Sequence, residues 1–375
     1  MSKKSIPGVP RYFETYVCDC FQNALAAQLK FLGQKPEIIL ADYLSLMYDE
    51  NTGYIGVNYL FKPNTTVEFS EEELNTSLEF VYLPVPEYYN SDKESKSFSD
   101  RIRVNMYMEK GEHEAFLHIK GLIDNDIPAI AAVDLFFMPY HRAFQKEHGL
   151  HYIVITGYDE DEQCFELFDK YKLSSSDFDG RLSFKQISLA RSSDNPQRNA
   201  ILGEYKRPLQ NIWAKSLIDK DFNVNEVKTI NILKESCNRL GGRKKVLDNK
   251  CGLEMLDCLI KDLLNKKIEG IDQRSQFLFR TYYNESFKTI ARSRMRFNAF
   301  LKEITGLIPQ SLLDEISQDL NCSSKYWDIS ANISLKLAIT KSLALVDNMC
   351  EQIALIKKAE SRAVEKLETF LSNNT

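Results

Sequence analysis

The chain reads as an α+β protein, with a mixed half to about residue 205 and an all-α half from 206 onward. Three observations predict this. A cysteine opens an amphipathic helix near the N-terminus. A β-rich hairpin pattern occupies residues 149–170. Beyond residue 206, apolar positions recur at three and four, with no proline between Pro208 and Pro309.

At 375 residues the chain is long for one core and suits two domains, taken as 1–205 and 206–375. A net charge of −5 without any block of like charges argues against nucleic acid as a partner. The opening Met1–Pro7 lacks an apolar signal core, and no apolar run approaches bilayer length, so a soluble cytoplasmic protein without membrane contact is expected. Eight cysteines scattered through a chain of this size are expected as free thiols. Cys237, Cys251, Cys258, Cys322 and Cys350 fall in helical patterns and read as small core residues. Cys18 and Cys20 form a C-x-C, but no second pair or nearby histidine completes a tetrahedral set, so no metal is expected.

Asp19 is a good N-cap, and Phe21, Leu25, Leu29 and Leu32 follow it with a helical period that Gly33 stops. Cys20 then sits at the first helical position, where the positive end of the helix favours a thiolate. Cys18 lies just outside that field. The competing reading of Cys20 is a buried structural thiol. Residues 36–48 suggest a second short helix, 49–70 strands and turns, and Ser70 with Glu71–Glu73 a capping box opening another helix. Residues 84–100 read as a loop, either a gate or a plain surface excursion. Residues 110–126 are expected as a helix with Ala115, Leu117/His118 and Leu122/Ile123 inward. Residues 129–137 form a strand buried on both faces, interrupted by Asp134, which is either paired or functional. His141 and His148 are expected on the exposed side of the following turn.

The 149–170 hairpin holds the candidate base. His151 opens its first strand and Asp169 closes its second. A turn centred on Glu160 sets the two directly opposite, with Cβ atoms about 4.5–5.5 Å apart, near enough for a carboxylate to orient an imidazole. A slip of one residue would send them to opposite faces. Cys20, His151 and Asp169 are thus a candidate triad of nucleophile, base and orienting acid. A thiolate at a helix start, with its base on a strand, is the geometry of papain-type enzymes.

In the helical half, stripes run from Val227 to Leu240, Leu253 to Leu264, Leu278 to Ile304, Leu312 to Leu320 and Leu335 to Phe370. Gly241–Gly242, Gly270 and Gly306 end the first three. The last, over 331–371, is expected as one long helix packed in a bundle, with a coiled-coil homodimer seam as the alternative. Lys288, Arg292 and Arg296 recur every four residues and form a candidate basic docking face; a solvated face is the alternative.

Asp19-Cys20, Asp134, Pro139-Tyr140, His151-Tyr152 and Gly157-Tyr158-Asp159, in that order, resemble the cysteine-protease-like N-terminal domain of the butirosin-biosynthesis acyltransferase family, found in nonribosomal-peptide and related pathways. The resemblance spans roughly residues 12–185 and implies a papain-like fold followed by a variable helical domain. It is similar also to the double-glycine leader peptidases, which carry a glutamine upstream of the cysteine. Glu14 and Tyr16 stand there in this chain, so that donor does not carry over. Backbone N–H groups at the helix start, with Tyr16 or Gln22, are the expected oxyanion donors, although Gln22 also reads as an ordinary first-turn residue.

The resemblance implies acyl transfer. An acyl group held as a thioester on the phosphopantetheine of an acyl or peptidyl carrier protein passes through Cys20 to an amine, forming an amide. For the acceptor, the likeness extends to the amide-forming type of closthioamide-like assembly, in which a diamine is used. Asp134, Tyr140 and Tyr152 are expected in the cleft on the same ground, and the basic face would dock the carrier. The alternative on the same scaffold is a cysteine peptidase or amidase, in which water resolves the acyl-enzyme.

Overall fold

A computed structural model describes residues 2–14, 17–50, 53–57, 65–67, 102–171, 176–199, 203–206, 208–218, 222–246, 249–272, 275–276, 278–304 and 306–373. Tyr16, the helix expected from Ser70 and the loop expected over 84–100 lie outside these residues.

The described elements run in chain order. They begin with β1 (Lys3–Ser5), α1 (Cys20–Phe31), α2 (Pro36–Ile39), β2 (Met47–Asp49), β3 (Tyr54–Gly56), β4 (Thr65–Val67), β5 (Ile102–Tyr107), α3 (Glu112–Asp124) and β6 (Ala129–Asp134). Next come β7 (Leu150–Asp159), β8 (Cys164–Tyr171), β9 (Ser176–Ser183), α4 (Phe184–Arg191), β10 (Pro196–Asn199), β11 (Gly203–Lys206) and β12 (Trp213–Ile218). The rest is α5 (Glu226–Leu240), β13 (Lys245–Val246), β14 (Asn249–Lys250), α6 (Met255–Glu269), α7 (Asn284–Glu303), α8 (Gln310–Thr340) and α9 (Ala344–Asn373).

These form two compact units. Of the described residues, one takes those up to Pro36, Thr66–Val67 and those from 102 to Phe222; the other takes those from Glu37 to Thr65 and everything from Asn223. The first unit is built on an antiparallel sheet in the order β4-β5-β12-β6-β7-β8-β9, with β1 also paired to β7. The boundary expected at 205/206 therefore moves. Trp213–Ile218 is a strand lying between β5 and β6, pairing Ser216 with Val104 and Trp213 with Ala131. Along it Trp213, Ala214 and Ser216 are buried and Ile218 is exposed, so pairing on both sides rather than alternation marks it as a strand. Gln28 of α1 is wholly buried and ties the helix to this sheet. Its amide donates to the Pro128 carbonyl at 2.6 Å and accepts from the Ser216 N–H at 2.7 Å.

The β7–β8 hairpin is the part that matters for the site. Its turn takes residues 160–163, so the strands close on Asp159 paired with Cys164, further along than a turn centred on Glu160. Next to the turn Tyr158 faces Phe165, a register that would put Asp169 across from Val154, on the opposite face from His151. A one-residue bulge at Thr156 intervenes, and Ile155 then faces Leu167. Continued, that register sets Asp169 across from Ile153, and so on the face of His151. The bulge falls where the other neighbour of β7 changes from β6 to β1: Ile155 pairs with Ala129, and Gly157 with Ser5. Glycine is needed there, since a Cβ at Gly157 would stand 2.8 Å from the Lys4 carbonyl.

The second unit is the helical one, but its core includes an early segment. Leu44, Leu46, Ile55 and Val57 are buried with residues of α5 to α9. A single π turn, Leu278–Tyr283, aims two successive tyrosines at this segment. Tyr282 and Tyr283 donate to the carbonyls of Ile55 and Gly53 at 2.9 and 2.8 Å. Contrary to the pattern reading, 310–340 is one helix, and the break comes at Lys341, in the left-handed conformation at φ 55°. The stripe of α9, including Met349, Ile353, Ile356 and Leu367, is buried in the core of its own unit rather than left as a seam.

The basic face expected on α7 does not exist as drawn. Arg296 is buried and its Nε donates to Asp42 Oδ2 at 2.7 Å. Lys288 donates to Asn284 at 3.0 Å, and Lys288 and Arg292 both act on Asp328, opposing the rise that burial imposes on that carboxyl. The neighbouring Arg294 is fully buried and forks onto Glu360 at 2.7 and 2.8 Å. Four-residue spacing recorded the seam of α7 with its neighbours, not a solvent face. Among the described residues no helix is long and apolar enough to cross a membrane.

Candidate active site

Asp19 caps α1 as expected: its Oδ1 accepts from the Gln22 N–H at 2.7 Å, and Gln22 Oε1 accepts from the Asp19 N–H at 3.1 Å. Gln22 is thereby engaged in the cap, the ordinary first-turn role. Asn23, also buried, holds the incoming chain, accepting from the Glu14 N–H at 3.0 Å and donating to the Asp19 carbonyl at 3.0 Å. Cys20 follows the cap as the first helical residue and is half-buried, whereas Cys18 is buried. The N–H groups of Cys20 and Phe21 have no acceptor among the described residues, as first-turn groups of a helix do not unless something caps them.

His151 and Asp169 are both almost wholly buried, and His151 Nε2 lies 2.9 Å from Asp169 Oδ1. That contact uses one ring nitrogen and leaves Nδ1, and Cys20, which walls the same crevice as Asp169, acts electrostatically on the imidazole. Burial on its own pulls the imidazole down. The charges and hydrogen bonds of Cys20 and Asp169 outweigh it and hold His151 up at about 10. The imidazolium is thus the form this pocket favours. Elsewhere burial does the opposite to sulfur, pushing the Cys237 thiol up to about 12 and the Cys350 thiol to about 11. Cys20 alone among the cysteines is set beside a histidine.

Around this core the other expected residues divide. Tyr140 does not open onto free space; its hydroxyl donates to Asp169 Oδ2 at 2.8 Å, and its ring stacks on Phe178 at 4.3 Å between centroids. Phe178 is the residue paired with Asp169 across β8 and β9. Both carboxylate oxygens of Asp169 are therefore occupied. Tyr152 packs edge-on against Phe21 of α1 at 4.9 Å and, with Cys20, Asp169 and Tyr171, walls a crevice of about 10 Å³, room for one water.

Asp134 does not belong to this group. Val133 faces His151 across β6 and β7, so Asp134 takes the other face of the sheet. Its carboxylate is buried and engaged four times: by the Phe136 and Gly149 N–H groups at 3.1 and 3.0 Å, by His148 Nδ1 at 2.7 Å and by Ser193 Oγ at 2.6 Å. Of the two readings open for it, pairing is the one realised. His141 is buried rather than exposed, its ring 6.4 Å from that of His151, and Tyr171 lies 5.9 Å from His151 on another side. Those two rings, absent from the expected site, flank His151. Tyr171 was legible as the residue two beyond Asp169 on the same face of β8; His141 carried no such signal. No cluster of three His, Cys, Asp or Glu able to hold a metal occurs among the described residues.

Residues 51–170 match the family described as butirosin biosynthesis protein H, N-terminal. Over that stretch, about a third of the chain, it is similar to this family. The butirosin-protein-H segment takes in His151 and Asp169, together with Asp134, Tyr140 and Tyr152, and it begins after Cys20. The place of Cys20 in the site therefore rests on its geometry. No curated protein matches the chain.

Proposed function

We propose that the chain is a cysteine-dependent N-acyltransferase of natural-product biosynthesis with a papain-like sheet unit. The observation that carries this reading is His151 paired with Asp169 Oδ1 at 2.9 Å, in the segment that matches the butirosin family, with Cys20 walling the same crevice as Asp169. In the first half-reaction the Cys20 thiolate attacks the carbonyl of an acyl thioester carried on the phosphopantetheine of an acyl or peptidyl carrier protein. The carbon–sulfur bond to the carrier breaks, and the departing thiolate takes the proton of the His151 imidazolium. An acyl group is left on Cys20. In the second, an amine attacks that carbonyl, neutral His151 accepts the amine's proton, and Cys20 leaves as thiolate, giving an amide. Asp169 keeps the ring oriented through both halves, and the N–H groups of Cys20 and Phe21 are the donors for the tetrahedral oxygen. We place the reaction in the cytoplasm, where carrier proteins and reduced thiols coexist.

The water-sized crevice beside Cys20 favours a second reading, hydrolysis of the acyl-enzyme by a peptidase or amidase. Intact-protein mass spectrometry distinguishes them. The protein is mixed with an acyl-pantetheine thioester, then with buffer or with a panel of mono- and diamines. Transfer predicts an adduct that maps to Cys20 and that an amine clears faster than buffer does. Clearance at one rate with or without amine selects hydrolysis, and absence of an adduct removes both readings.

A further inference from the structure

Away from Cys20, the sheet unit contains a cavity of about 620 Å³ between α3 and α4, with Phe165 of β8 at its floor. That volume lies in the range of small-molecule pockets. None of Cys20, His151 and Asp169 lines it.

Arg191 is the unusual residue in its wall. The Ser183–Gln186 capping box starts α4, whose inward face carries Ile187, Ala190 and Arg191, so the helical period itself turns a guanidinium into the protein. Arg191 is 3% exposed. Its Nη2 donates to the Asn211 carbonyl at 2.9 Å and its Nη1 to the Ala115 carbonyl at 3.4 Å. Nε has no acceptor. Among the described residues no carboxylate pairs with this cation, and burial alone brings its pKa down to about 10. A buried guanidinium normally has an anion beside it, because two carbonyls do not replace the lost hydration of a full charge.

Two further features of the wall point to what the anion is attached to. Phe116, Phe165 and Phe184 form a continuous aromatic surface, with centroids 4.7 to 5.7 Å apart. Lys185 at the rim is exposed and makes no ion pair among the described residues. The two acids of the wall are already engaged. Glu112 accepts from Ser188 at 2.6 Å, and Glu160 is held by Ser2 at 2.6 Å and Lys120 at 3.3 Å.

We propose that this cavity binds a small organic anion, its carboxylate or phosphate group paired with Arg191 and its apolar part lying on Phe116, Phe165 and Phe184. The site is separate from Cys20 and does not depend on the acyl-transfer reading.

Calorimetric titration of the full chain tests it, with phenyl phosphate and phenylacetate as anionic probes, benzyl alcohol and benzylamine as neutral and cationic counterparts, and inorganic phosphate as the head group alone. At least one anionic aromatic probe is expected to bind about tenfold or more tighter than benzyl alcohol and benzylamine. Preference for phenyl phosphate assigns a phosphate ester, and preference for phenylacetate a carboxylate. Arg191→Gln should weaken the preferred probe by about thirtyfold or more. Phe184→Leu should weaken it while leaving any binding of inorganic phosphate unchanged. Cys20→Ala should bind as the parent does, which separates this site from the acyl-transfer chemistry. Equal affinity for anionic, neutral and cationic probes, or no saturable binding of either anion, overturns the proposal from the parent protein alone, whether or not Arg191→Gln folds. Unchanged affinity in a folded Arg191→Gln protein also overturns it.

Discussion

His151 and Asp169 meet at 2.9 Å although they are diagonal neighbours, not opposed ones, on the β7–β8 hairpin. A diagonal pair on one face starts about 7–8 Å apart and closes only when both side chains lean together. They share a face because of the one-residue bulge at Thr156. Without it, the register fixed by the turn would place Asp169 behind the sheet.

Deleting Thr156 removes the extra residue itself, so Ile155 should still face Leu167, Asp169 should stay on the face of His151, and acylation of Cys20 should persist. Gly157→Ala tests the same corner by crowding, since its Cβ would meet the Lys4 carbonyl at 2.8 Å and Glu166 Oε2 at 2.9 Å. We expect a loss of about 1–3 kcal/mol, read from urea unfolding. A folded Thr156-deleted chain that no longer acylates would contradict this register.

His151 makes stability depend on pH in a defined direction. Its folded value is raised from 6.5 to about 10. The stabilisation is therefore complete below about pH 6.5 and disappears as pH climbs through about 10. Urea midpoints measured from pH 6 to 10 should fall more steeply for the parent than for His151→Gln. Parallel curves would mean that the imidazolium is not the favoured form.

Tyr140→Phe removes the donor to Asp169 Oδ2 but keeps the ring that stacks on Phe178. One hydrogen bond to a buried carboxylate corresponds to about 1.5–3 kcal/mol, so acylation should slow by roughly tenfold to a hundredfold. The melting temperature should fall by several degrees, and the pH profile of acylation should shift with the freed carboxylate. A rate unchanged in both size and pH profile would reduce Tyr140 to packing.

In the helical unit, Glu360 is the partner of Arg294 and also accepts from Ser323 and Trp327, at 2.5 and 3.1 Å. Glu360→Ala leaves a guanidinium buried without its anion and should remove about 3–5 kcal/mol of stability. Denaturant unfolding checks this, and a loss below about 1 kcal/mol would contradict the burial of the pair.

Local patterns were legible wherever one residue sets its own surroundings. Asp19 caps, Cys20 follows, and the strand character of 150–159 and 164–171 is written in their side chains. What could not be read from pattern depends on distant partners. The strand at Trp213–Ile218 has no regular alternation of burial, is fixed by its pairing with β5 and β6, and sits in a stretch whose other signals are helical. Lys288, Arg292 and Arg296 have the spacing of a surface stripe, yet Asp42 and Asp328 lie across from them. The bulge at Thr156 carries no turn residue except Gly157 beside it, so the pairing of His151 with Asp169 was expected for the wrong register.

The position of β12 has a consequence for how the chain is made. Its segment, Trp213–Ile218, separates β5 from β6, two strands that leave the ribosome long before it does. Until residue 218 emerges, both expose unpaired edges that invite association with other nascent chains. A gene cut at the apparent composition boundary near 205 would freeze the protein in that vulnerable state, and one that ends after Phe222 would not.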